Sequence, residues 1–316
     1  MPGLYHKTAA ADGTGEAPGW RRRAGFGIIK GKMRPPEELK GAFRGRRREE
    51  DKRSAGIVTI VGGAFKYPHA PVLAALGARA AGAGLVHLVA PDASRYAAAV
   101  HVPEAVFTKL SATCVPPAAD ATAAGMGLGG GVNVQLLVTR LLSGSCGRFV
   151  LDADALAVLA EWRAKGEWNP GPRSVELVLT PHEGEAARLL GCKREKISSD
   201  RMEAAKEIAR LYGATVVLKG AGTVVASPDG SRVYVNDTGN PDMALGGMGD
   251  LLAGAIAARW AWLKGDAFTA SVSAVWLHGA AGDAVERAFL DPSLANTAAK
   301  LGSLRAAFDA GKDFPW

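Results

Sequence analysis

The chain has 316 residues, 48% of them hydrophobic, with 40 glycines, a length and composition that suit one large α/β domain plus an extension and exclude a coiled coil or a disordered chain. Cys114, Cys146 and Cys192 are too scattered for a disulfide framework or a zinc site, and the apolar stretch 251–263 is broken by Arg259, short of the roughly 18 residues a membrane helix needs. Residues 1–54 carry 14 Lys/Arg against 7 Asp/Glu, an excess equal to the whole net charge of +7, so the rest of the chain is neutral.

Taken in order, the first 54 residues mix Gly, Pro and charge. They read as a basic extension, partly disordered or holding one helix over 36–48, which opens with Glu37 and Glu38. The runs Arg21-Arg22-Arg23 and Arg46-Arg47-Arg48 would attract polyanions, but a solvated extension is the simpler reading, so nucleic acid is not expected as a partner. The N-terminus has no apolar core of a signal peptide, and a soluble cytoplasmic protein without membrane attachment is expected.

After Ser54 short β-branched runs alternate with Ala/Leu-rich helical stretches, the pattern of βαβ units. Strands are expected at 57–61, 85–89, 149–151, 175–179 and 215–218, with a hairpin at 223–226 and 232–235 turned by Ser227-Pro228-Asp229-Gly230-Ser231. Helices are expected at 71–81, 133–142, 155–163, 184–190, 199–212, 250–263 and 268–288. The result is a mostly parallel sheet covered on both faces, with ligands at the carboxyl ends of its strands.

The most informative segment runs from Asn236 to Asp250 and ends Gly246-Gly247-Met248-Gly249-Asp250, directly before the apolar helix at 251. Helix-start N–H groups lack intrahelical partners and carry the positive end of the dipole, and three glycines in four residues let the backbone approach an anion closely. Asp250 stands beside that anion hole, placed to take a proton from a hydroxyl. In isolation an aspartate there would be an ordinary helix cap.

Lys219 closes an apolar strand and is followed by Gly220-Ala221-Gly222-Thr223. It is either a phosphate-binding lysine or a solvated one at a strand end. Thr180-Pro181-His182-Glu183-Gly184-Glu185 leads another strand into a helix, with His182 and Glu185 three apart and able to face the same crevice; capping and dipole roles are the alternatives. In Leu151-Asp152-Ala153-Asp154, two carboxylates suit Mg²⁺ near phosphates, or Asp154 caps the helix. The glycine turns at 62–63 and 125–131 are weak ligand signals, and neither has the spacing of a dinucleotide fingerprint, so hydride transfer is not expected.

Together with Tyr67-Pro68-His69-Ala70-Pro71, Ala81-Gly82-Ala83-Gly84-Leu85, Gly125-Met126-Gly127-Leu128-Gly129 and Leu218-Lys219-Gly220-Ala221, these segments resemble the ADP-dependent NAD(P)H-hydrate dehydratases over residues 55 to about 290. The resemblance implies a three-layer α/β/α ribokinase-like domain over 55–316. It also implies a metabolite-repair lyase, in which ADP donates its β-phosphate to the hydroxyl of hydrated NADH or NADPH and phosphate elimination restores the dihydronicotinamide. By position, Asp250 corresponds to the base and Gly246 to Gly249, with Gly247 and Gly249 central, to the anion hole. Lys219, Gly220, Ala221, Gly222, Thr223 and Gly249 correspond to ADP-binding residues, and Ala70, Gly127, His182 and Asp250 to those around the hydrated nicotinamide. Glu185 takes the place of a glutamate that organises Mg²⁺ through water in kinase relatives.

The chain carries Met248 where the family usually has Thr, and Asp51-Lys52-Arg53-Ser54 where it has His-Lys-Gly-Asp. Many members also carry an epimerase domain; 54 residues are too few for one, so any epimerase is expected on a separate protein. A homo-oligomer such as a tetramer is expected. Two other functions remain open: an ATP-dependent kinase of a small alcohol such as a hydroxyethylthiazole, against which Thr180-Pro181-His182 and Lys219-Gly220-Ala221 argue, and a nucleotide-sensing protein with a degenerate site.

Overall fold

The computed structural model describes residues 32–111, 114–143, 147–169 and 175–315. Arg21-Arg22-Arg23 and Cys146 lie outside them. In chain order the elements are β1 (Lys32–Met33), β2 (Ile57–Val61), α1 (Ala70–Ala80), β3 (Leu85–Ala90), α2 (Asp92–His101), β4 (Val106–Lys109), β5 (Ala121–Ala124), α3 (Val132–Leu142), β6 (Gly147–Leu151) and α4 (Asp154–Ala164). They continue with β7 (Val175–Leu179), α5 (Glu183–Leu190), α6 (Arg194–Ser199), α7 (Arg201–Tyr212), β8 (Thr215–Leu218), β9 (Val224–Ala226), β10 (Val233–Val235), α8 (Met248–Leu263), α9 (Ala267–Arg287), α10 (Leu294–Asp309) and β11 (Phe314–Pro315).

Among the described residues nine strands form one sheet in the order β10-β9-β8-β7-β6-β5-β2-β3-β4. All pairings from β8 to β4 are parallel, and only the β9–β10 hairpin and its junction with β8 run antiparallel. Strand residues alternate between two apolar layers, as a period of two requires: Val58 and Ile60 face one, Val61 the other. The first layer is built with α1, α8, α9 and α10; the second with α3, α4, α5 and α7. This is the expected three-layer α/β/α architecture.

The chain leaves β2 towards β3 and β4 on one side, then returns to build β5 to β8 on the other. The carboxyl ends of β2 and β5 therefore flank the point where the order reverses, where such sheets form a ligand crevice. A backbone bond from Gly63 N–H to Met126 O (2.9 Å) fastens the two glycine turns there.

Two expectations change. Instead of a helix over 36–48, a 3-10 helix covers Glu37–Ala42, and Phe43 is already extended. The cause is tertiary: Leu39, Ala42 and Phe43 are buried, and the Phe43 ring packs edge-on against Trp276 and Phe308. Arg259, fully buried in α8, donates to Ala42 O and lies under the Phe43 ring, so this part of the extension belongs to the core. The strands β1, β4, β5 and β11 and the helices α2, α6 and α10 are additional to the sequence reading. In β5, Ala-Thr-Ala-Ala offers almost no β-branched signal, yet all four residues are buried between β2 and β6.

Candidate active site

The site is assembled at the carboxyl ends of β5, β6, β7 and β8 and the start of α8. The run Leu245 to Met248 turns into α8 at Gly247, the residue before its first turn, with φ of +97°. A side chain there would be strained and would meet Leu73 and Leu294, so the turn needs glycine. Gly246 is exposed with open space where a Cβ would stand, and Gly249 faces Lys219: a Cβ there would lie 3.2 Å from Nζ. The turn thus presents bare backbone at the positive end of a 16-residue helix.

Asp250 sits in the first turn of that helix. Burial pushes its carboxyl up to about 7, the Asp152 charge adds to the rise, and Lys219 opposes it; Asp154 and Glu185 raise it further. A carboxylate with this pKa is matched to taking a proton near neutral pH.

Lys219 Nζ is 2.6 Å from Asp152 Oδ1 and 4.0 Å from Glu185 Oε2. Burial alone would lower the pKa of this ammonium, but Asp152, Glu185 and Asp250 outweigh it and the net shift is upward. Lys219 is therefore the cation at the centre of a carboxylate cluster, and the reading as a solvated lysine does not hold.

The two aspartates after β6 diverge because Ala153 between them adopts a left-handed backbone (φ 49°), a strained conformation for alanine. Asp152 is turned to Lys219, while Asp154 Oδ2 accepts from the Gly129 N–H at 2.8 Å. Asp154 does not cap α4, as one reading expected; it fastens the glycine loop after β5. Burial raises its pKa despite the backbone donors of that loop.

His182 precedes α5 and completes a reciprocal cap. Its Nδ1 accepts from the backbone N–H groups of Gly184 (2.9 Å) and Glu185 (3.3 Å), and the His182 backbone N–H donates to Glu185 Oε2 (2.8 Å). The imidazole is 55% exposed while it caps the helix, and its Nε2 lies 3.5 Å from Glu185 Oε1. Across the crevice, Gly127 adopts φ of +65°, and a Cβ on it would meet Tyr67 Cβ at 2.8 Å and Ala70 Cβ at 3.0 Å, so Gly127 and Ala70 form one wall.

Gly220 to Thr223 form the turn between β8 and β9, tied by Thr223 Oγ1 donating to Gly220 O at 2.9 Å. Met248 is buried and lines a small cleft with Met243, Val285 and Thr297. Two partners were not legible as functional residues. Asp283 in α9 accepts from Gly239 N–H (3.0 Å) and Asn240 Nδ2 (3.2 Å), anchoring the segment before the glycine turn, and Arg201 contacts the turn after β8. Neither lies in a motif, and only their proximity in the fold reveals them.

Among the described residues no group of three His, Cys, Asp or Glu side chains is arranged to hold a metal by itself. No described helix is long and apolar enough to cross a membrane.

A family model described as NAD(P)H-hydrate dehydratase matches residues 58–301. The chain is 37% identical to the ADP-dependent (S)-NAD(P)H-hydrate dehydratase of Neisseria meningitidis, over 77% of this chain and 82% of that protein. It is 41% identical to a bifunctional NAD(P)H-hydrate repair enzyme of Moorella thermoacetica, covering 73% of this chain but 45% of that longer protein. Among solved structures, the Bacillus subtilis ADP/ATP-dependent NAD(P)H-hydrate dehydratase co-crystallised with ATP and Mg²⁺ superposes with a TM-score of 0.75 at 28% identity, over 88% of this chain and 99% of that one. With the family model spanning most of the sheet and every strand end that builds the site, the chain belongs to the NAD(P)H-hydrate dehydratase family.

Proposed function

We propose that the chain repairs hydrated NADH and NADPH using ADP, and that the reaction takes place between the Gly246–Gly249 turn and the Gly127–Ala70 wall. Asp250 takes the proton of the substrate hydroxyl as that oxygen attacks the β-phosphorus of ADP, and AMP leaves. Loss of phosphate from the phosphorylated intermediate, together with a proton released to solvent from the adjacent ring carbon, then restores the dihydronicotinamide double bond. The N–H groups at Gly247 and Gly249 offset the charge on the transferring phosphoryl oxygens, and Lys219 adds a fixed positive charge beside them. Lys219 to Thr223, with Gly249, hold the nucleotide; Ala70, Gly127 and His182 orient the hydrated ring.

Mg²⁺ fits this donor set. It keeps several waters and is commonly held by one or two carboxylates plus substrate phosphates rather than by an all-protein cage. Glu185, whose Oε2 is 4.0 Å from Lys219 Nζ, would hold it through water, and Asp152 is already engaged by Lys219. Bound there, the ion would supply charge neutralisation of the phosphates.

The observation that carries this reading is the location of Asp250: in the first turn of α8, next to the glycine turn, with its carboxyl raised to about 7. The test is to mix the purified chain with hydrated NADH or NADPH and either ADP or ATP and follow the return of dihydronicotinamide absorbance. Return with ADP is expected; none with either nucleotide would sink the proposal. A kinase of a small alcohol would instead convert ATP to ADP in the presence of hydroxyethylthiazole, followed as ADP release.

A further inference from the structure

Arg201, the first residue of α7, bridges three elements. Its Nη1 donates to Glu183 Oε1 at 2.6 Å, and its Nη2 donates to the carbonyl oxygens of Leu218 (3.1 Å) and Lys219 (3.2 Å). Glu183, next to His182, is fixed in turn by Arg194 Nε (3.1 Å) and Ser198 Oγ (3.0 Å). Gly220 lies directly on the guanidinium, since a Cβ there would come within 2.9 Å of Nη2.

The peptide planes give these contacts a consequence. In a trans peptide the C=O and N–H point in opposite directions. The Leu218–Lys219 peptide is gripped at both ends, its carbonyl by Arg201 and its N–H by Pro181 O at 2.8 Å. The Lys219–Gly220 peptide is gripped at its carbonyl, which directs the Gly220 N–H away from the guanidinium. Without Arg201 both carbonyls lose a charged donor, and a flip of the second plane would aim Lys219 O, a partial negative charge, where the N–H now points.

We propose that Arg201, held by Glu183, is a positioning residue that fixes the orientation of the Lys219–Gly220 peptide for binding a nucleoside diphosphate. This rests on the proposed role of residues 219–223 in holding ADP. The guanidinium fork is suited to the task because it spans a carboxylate and two carbonyls at once, which the single ammonium of lysine does not do. The same Glu183 links the nucleotide turn to the start of α5, which His182 caps.

The test uses the full chain and its variants Arg201→Ala, Arg201→Lys and Glu183→Gln. ADP affinity is measured by calorimetry, KM for ADP and for hydrated NADH by steady-state kinetics, and folding by thermal melting. Arg201→Ala and Arg201→Lys are expected to raise Kd and KM for ADP about tenfold, the effect of losing charge-assisted hydrogen bonds, with Glu183→Gln smaller and KM for the hydrate nearly unchanged. Should Arg201→Ala fail to fold, Arg201→Lys and Glu183→Gln carry the test. A merely structural arginine would lower the melting temperature while folded variants bound ADP as tightly as the parent, and that result overturns the proposal alone. A parent chain that binds no ADP overturns the nucleotide turn and its positioning residue together.

Discussion

Lys219 at the end of β8 reaches across β7 to Asp152 at the end of β6, Nζ to Oδ1 at 2.6 Å, and so joins two strand ends 67 residues apart in sequence. The pair is unevenly buried: the Asp152 side chain is 2% exposed and that of Lys219 18%. Replacing Lys219 with Met strands a buried carboxylate without its cation, and breaking such a pair costs about 3–5 kcal/mol. Urea unfolding of Lys219→Met should show a loss of that size. Because Lys219 also opposes the rise in the Asp250 pKa, what activity remains should need a higher pH.

Asp250 sets a pH dependence with two opposite signs. As a base it works only when ionised, so kcat/KM is expected to climb through about 7, the value set first by burial and then by the Asp152 charge. Stability runs the other way. The folded-state pKa lies above the unfolded value, so the contribution is complete below the unfolded pKa of 3.8 and is lost as pH rises through about 7. Asp250→Asn, neutral throughout, should therefore be more stable than the parent at about pH 8, by up to about 4 kcal/mol, with the gap narrowing towards about pH 4. The same variant should lose turnover and retain ADP binding. A flat stability difference across this range would remove the raised pKa from the account.

Much of this site was legible along the chain because its pieces are local: a glycine turn with an acid before a helix, a lysine closing a strand, a proline-histidine turn. The glycine turn opens α8 and the other two pieces close strands, and the parallel sheet brings its strand ends together. The partnerships were not legible. Asp152 was a metal candidate and Lys219 stood as either a phosphate ligand or a solvated side chain; only the order β8-β7-β6 shows that each is the other's counter-ion. The backbone of Ala153 is equally invisible in sequence, since alanine signals no left-handed turn, yet that turn sends Asp152 and Asp154 to different partners. The extension misled for a related reason. Its charge read as solvation, while the apolar residues Leu39, Ala42 and Phe43 inside it are claimed by α9 and α10.

The close crossing of α1 and α8 ties the fold to the chemistry, because α1 begins at Ala70 and α8 carries Asp250. A Cβ on Gly254 would stand 1.8 Å from Ala74 O, and one on Gly77 would stand 2.0 Å from Leu251 O. Backbone cannot give way as a side chain does, so Gly254→Ala must push the helices apart, at a cost above the roughly 1–3 kcal/mol of ordinary overpacking. The expected outcome is a large drop in melting temperature or insoluble protein. Near-normal melting would mean that the two helices pack less tightly than these distances require.

His182 combines a structural and a proposed chemical role that one substitution separates. Its Nδ1 caps α5 by accepting from Gly184 and Glu185, and the rest of the ring is left exposed. Removing the cap altogether, as in His182→Ala, should cost about 1 kcal/mol and loosen Glu185, whose carboxylate holds the other half of the reciprocal cap. Asparagine is among the best capping residues, so His182→Asn should melt close to the parent. It has no imidazole to present to the hydrated ring, so KM for hydrated NADH should rise several-fold while KM for ADP stays unchanged. If His182→Asn matches the parent in both constants and His182→Ala fails only through stability, then His182 is a cap and nothing more, and the substrate side of the crevice must be assigned to Gly127 and Ala70 without it.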